Sequence, residues 1–93
     1  MKTSKEIAEV LQVLYNTPSS GKIKGRFKLE MTDLRIIAGG SIPKPMYALI
    51  NDELAHLGFH LVKGLDYVGV IEADKVNGWR SIPHKAIRNL FDR

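Results

Sequence analysis

Residues 32–58 constrain the fold of this chain more than any other stretch, because they spell two helices separated by a three-residue break. The pattern predicts helices over 33–38 and 43–57, joined by Gly39, Gly40 and Ser41. Thr32 is placed to cap the first helix and Gly39 and Gly40 to take the positive φ that closes it. Ser41 is placed to cap the second, with Pro43 in its opening turn. Ile42, Met46, Leu49, Ile50, Leu54 and Leu57 recur at intervals of three and four, which makes them the expected core face of that helix.

With 93 residues, 44% of them hydrophobic, the chain suits one domain over 1–93, with a core at about 3–72 and an extension over 73–93. It has no cysteine, so neither a disulfide framework nor a thiolate metal site is expected, and a reducing cytoplasm is the expected compartment. No run approaches the roughly 20 apolar residues of a membrane span, and Met1 to Glu6 are not followed by the apolar stretch of a signal peptide.

The formal net charge of +4 favours an anionic partner. Residues 1–47 hold eight Lys and Arg against four acids, while 48–93 hold six of each, so the surplus lies in the first half. Thr3 or Ser4 caps a first helix, with Glu6 at capping-box spacing from Thr3 and an apolar stripe of Ile7, Val10, Leu11 and Leu14 reaching Tyr15. A loop is expected over 16–21. From 22 the period becomes two: Lys22, Lys24, Arg26 and Lys28 alternate with Ile23, Gly25, Phe27 and Leu29, predicting a strand with one basic face. Those cations either discourage pairing at a sheet edge or face phosphates, and the two roles are compatible. Strands are predicted over 59–62 and 67–71 around a turn at 63–66, with a third over 79–82 reached through the turn pair Asn77-Gly78. A short amphipathic helix follows, opened by Ser81 or Pro83, with Ile87, Leu90 and Phe91 on one side.

The order helix, strand, helix, helix, strand, strand over 3–72 resembles the winged helix-turn-helix domain: an α+β fold with a three-helix core, a small antiparallel sheet and, here, a short C-terminal helix. The resemblance rests on element order, not on a signature motif. It implies that the 43–57 helix enters a DNA major groove while the hairpin turn touches the neighbouring backbone or minor groove. On the outward face of that helix, Lys44, Ala48, Asn51, Asp52 and Ala55 are expected, flanked by Pro45 and Tyr47. Lys44 suits phosphate or guanine, Asn51 adenine and Tyr47 phosphate. The expected DNA-binding set is Lys22, Lys24, Arg26, Lys28, Arg35, Ser41, Lys44, Tyr47, Asn51 and Lys63. Asp52 and Glu53 oppose phosphates, and Leu65 in the hairpin turn suits a protein contact better.

Catalytic and metal constellations are weaker. His56 and His60 are four apart, but Gly58 breaks the helix between them, so no metal site is expected. His84 lacks an acid partner in sequence, no nucleophile motif occurs, and the glycines form no phosphate loop. Trp79 and Tyr67 read as half-buried packing before base stacking. The expectation is a non-enzymatic protein without cofactor, binding duplex DNA as a regulator or mobile-element accessory factor, and a homodimer through the first or last helix. The rival expectations are a winged-helix module that binds a larger protein, and a binder of RNA or single strands.

Overall fold

The computed structural model describes residues 1–18 and 25–91. Its elements run α1 (Ser4–Tyr15), β1 (Phe27–Glu30), α2 (Met31–Ala38), α3 (Lys44–His56), β2 (Phe59–Lys63), β3 (Tyr67–Glu72), α4 (Ala73–Asn77) and α5 (His84–Phe91). The fold is α+β, and the three strands form one antiparallel sheet in the order β1-β3-β2.

The ends of α1 follow the sequence closely. The Thr3 hydroxyl accepts from the Glu6 N–H at 3.2 Å, and the Glu6 carboxylate accepts from the Thr3 N–H at 3.0 Å, closing the capping box. The Thr3 bonds hold the Glu6 carboxyl below its ordinary range. The buried stripe of α1 is Ile7, Ala8, Leu11 and Tyr15, whereas Leu14 is exposed, so the core face turns toward Tyr15. The Tyr15 ring explains that turn: it packs 4.7 Å from Phe59 and 6.5 Å from Phe27, bridging the helix to the sheet.

The break between α2 and α3 is longer than three residues, and its caps differ from expectation. Thr32 lies inside α2, whose N-cap is Glu30 with no side-chain hydrogen bond. Instead, the Met31 N–H donates to the Asp66 carbonyl at 2.9 Å, so the β2–β3 turn performs the task assigned to a threonine. Ser41 does not cap α3, because Pro43 occupies the N-cap and also lacks a side-chain bond there. Gly39 does close α2: its φ is 84°, and the N–H groups of Gly39 and Gly40 both return to the Arg35 carbonyl. Lys2 secures the same end, its backbone N–H bonding the Ala38 carbonyl and its Nζ that of Ile37.

The core lies between the helices and one face of the sheet. Ile7, Leu11, Leu34, Ile50, Leu54, Val68 and Val70 are fully buried. Cross-strand pairing places Phe27, Val70 and Leu61 in one inward row and Leu29 beside Val68 in the next. The alternate row, Lys28, Gly69 and Val62, faces away from the core. Ile71 belongs to that outer face and is nevertheless buried, at the end of β3 where the chain passes into α4.

The strand expected over 79–82 does not form. β3 is the central strand and already has β1 on one edge and β2 on the other, so no position remains beside it for a continuing meander. The chain turns instead into α4, closed at Gly78, and then α5, none of whose residues is buried.

One stability prediction arises from Tyr15. Burial pushes its hydroxyl above the ordinary phenol range, and the neighbouring Glu72 carboxylate adds to the shift. A raised folded value means that this contribution is complete below the unfolded value near 10 and is lost as pH rises through the folded one. The wild type should therefore lose urea resistance above about pH 10 relative to Tyr15→Phe. Parallel curves for the two proteins across that range would remove Tyr15 from the alkaline response.

Candidate nucleic-acid interface

The cations named from the sequence, together with Ser41, divide into three groups. Lys22 and Lys24 lie outside the described residues. Arg26 and Lys28 are exposed along β1 and its approach, on the outer side of the sheet. Arg35, Ser41, Lys44 and Lys63 are exposed around α2, the start of α3 and the end of β2.

Of the last group, Arg35 reaches the β2–β3 turn, where Lys28 of the second group joins it. A hollow of about 430 Å³ is lined by Lys28 and Arg35, by Glu30 and Asp66, and by Met31, Leu65 and Tyr67. Its two cations are balanced by its two carboxylates, so the hollow itself carries little field. Uncompensated charge lies beside it. Lys63 holds its ammonium 5.0 Å from the Tyr47 ring centre, and the Tyr47 hydroxyl reaches Met31 Sδ at 3.5 Å. Lys28 sits likewise 5.5 Å over Tyr67, whose ring covers Gly64 so closely that an added Cβ would lie 2.4 Å from it. The tyrosines thus act as platforms that fix the lysines, a role the sequence did not disclose.

The largest departure concerns α3. Its core face is set by Ile50 and Leu54, with Met46, Tyr47 and Ile42 packed alongside. Leu49 is 53% exposed, so the face is rotated from the expected one toward Tyr47 and Asn51. Asn51 is consequently not outward: its Oδ1 accepts the Leu61 N–H at 2.9 Å. That N–H belongs to β2, a strand at the edge of the sheet, so Asn51 closes an edge that would otherwise carry an unpaired donor. Tyr47 is likewise half-buried. The exposed side of α3 presents Pro45, Ala48, Leu49, Asp52 and His56, with Lys44 at its start. Apart from Lys44, this set offers few groups that match base edges or phosphates.

Among the described residues no group of three or more His, Cys, Asp and Glu side chains converges to hold a metal ion. None of the described helices is long and apolar enough to cross a membrane. The chain is therefore an α+β protein whose candidate surface is a set of cations around the β2–β3 turn and the N-terminus of α3. No family model, curated protein or solved structure matches it.

Proposed function

We propose that this is a winged-helix protein that holds duplex DNA chiefly by its phosphates, with little reading of bases. The observation that carries the proposal is the arrangement around α3: it follows α2 across a short turn, begins without a side-chain cap, bears Lys44 in its first turn, and lies beside Lys63 fixed over Tyr47. Pro45 has no N–H and the Met46 N–H returns to the Pro43 carbonyl at 2.9 Å, so it is the positive end of the helix dipole, reinforced by the Lys44 ammonium, that favours phosphate oxygen here. The Asn51 amide is committed to β2, so sequence discrimination through α3 is expected to be weak.

The test is duplex binding across a salt series with wild type and an Arg35→Ala, Lys44→Ala, Lys63→Ala triple variant. Each phosphate contact contributes about 0.9 to the slope of log K against log salt, so the variant's slope should be shallower by about 2.7. An unchanged slope would take all three residues off the DNA surface. A second reading, a module that binds protein, is favoured by Leu65, 90% exposed at the hairpin tip, and by the outward Leu49. It predicts no duplex binding even at low salt.

A further inference from the structure

The outer face of the sheet carries a second feature, away from α3. A groove of about 340 Å³ runs across it, lined by Val62, Gly69 and Ile71 of the sheet, by Trp79, and by the cations Arg26 and Lys28. The register explains the floor: Lys28, Gly69 and Val62 form one cross-strand row, and the missing side chain at Gly69 leaves its centre low. A Cβ at Gly69 would make only ordinary contacts, 3.6 Å from the Phe27 carbonyl oxygen and 3.8 Å from Val62 Cβ. Packing within the sheet therefore does not demand glycine there.

Trp79 does not behave as a core residue. It is 58% exposed, and its backbone N–H donates to the Val76 carbonyl at the end of α4 at 3.0 Å. An apolar floor, one exposed indole and two cations, with no acid among the described lining residues, make a surface complementary to a flat ring attached to an anion. We infer that this groove is a binding site for single-stranded nucleic acid, in which a base stacks on Trp79 above Gly69 while Arg26 and Lys28 hold the flanking phosphates. Duplex DNA cannot use it in this way, because its bases are already stacked and paired. Arg26 and Lys28 stand two residues apart on one face, separated by about 6.6 Å along an extended chain, a length on the scale of one nucleotide step. Base stacking tolerates any sequence, so the site is expected to prefer single strands to duplexes without strong base preference.

The site goes beyond the duplex reading and does not depend on it. Trp79 is the only tryptophan, so its fluorescence reports this groove alone. The full chain is titrated with oligo-dT, oligo-U and, as an anion without bases, inorganic polyphosphate, while anisotropy of labelled oligonucleotide follows binding separately. Both oligonucleotides should quench Trp79 saturably and polyphosphate should not, since DNA and RNA share the stacking chemistry. Trp79→Ala should weaken oligo-dT binding about tenfold and Trp79→Phe much less. Gly69→Leu, which fills the groove and keeps the indole, should abolish the quenching. The proposal is overturned if oligonucleotide binds without quenching, if polyphosphate quenches equally, if Gly69→Leu quenches like wild type, or if no single strand binds at low salt. Trp79→Ala should leave duplex affinity unchanged, so failure here and failure of the Arg35, Lys44 and Lys63 surface are read in separate experiments.

Discussion

Replacing Leu54 with alanine should destabilise the protein by about 2–5 kcal/mol, whereas the same replacement at Leu49 should change stability by no more than about 0.5 kcal/mol. Both leucines sit on α3 and both fit the spacing of an apolar stripe. Leu54 is fully buried among side chains of α1, α2 and the sheet, so truncation removes transfer energy and leaves a cavity. Leu49 keeps half its surface in water and sits where alanine is the better helix former. In a domain of this size each kcal/mol moves the thermal midpoint by about 4–8 °C, so Leu54→Ala should melt at least about 8 °C lower. Paired thermal and urea melts decide the matter. Equal losses at the two positions would rotate α3 back toward Met46 and Leu57 and return Asn51 to solvent.

That pair of leucines shows which parts of the fold were legible in the sequence. Local chemistry was: the Thr3 and Glu6 capping box, the Gly39 helix end and the existence and order of the elements from α1 to β3 all follow from neighbours within a few residues. Orientation was less so. In α1 and α3 alike the apolar spacing identified a helix but placed its core face slightly off, because Tyr15, Tyr47 and Asn51 count as polar or flanking by pattern and act as packing residues in place. Each of these side chains finds its partner far along the chain: Tyr15 at Phe59, Tyr47 at Met31, Asn51 at Leu61.

The failed strand over 79–82 has the same origin. Asn77-Gly78 is a sound hairpin turn by local rules, but β1 reaches β3 from nearly forty residues away and occupies the edge that a meander would need. The same long-range pairing creates the groove, since Lys28, Gly69 and Val62 lie on three strands and share no local motif. The cations were visible by composition, but their platforms, Tyr47 and Tyr67, were not. A lysine above an aromatic ring leaves no mark in sequence spacing when the two sit on different elements.

Asn51→Ala should lower stability by about 1–3 kcal/mol and leave the relative affinities for different duplex sequences unchanged. The substitution removes the acceptor of the Leu61 N–H and leaves that donor unpaired in a part-buried strip between α3 and β2. An unmade bond at a part-buried donor costs more than the net worth of the bond, because water replaces the lost partner only in part. Asn51→Asp retains an acceptor at the same position and should hold stability closer to the wild type than alanine does. It also adds a negative charge, and since Asn51 faces β2 this charge should weaken duplex binding far less than the same charge introduced at Ala48, which is exposed on the outward side. Urea melts of the two Asn51 variants, with competition binding between unrelated duplexes, separate the roles. If Asn51→Ala keeps full stability but levels the affinities of those duplexes, Asn51 reads DNA and the β2 edge is held by something else.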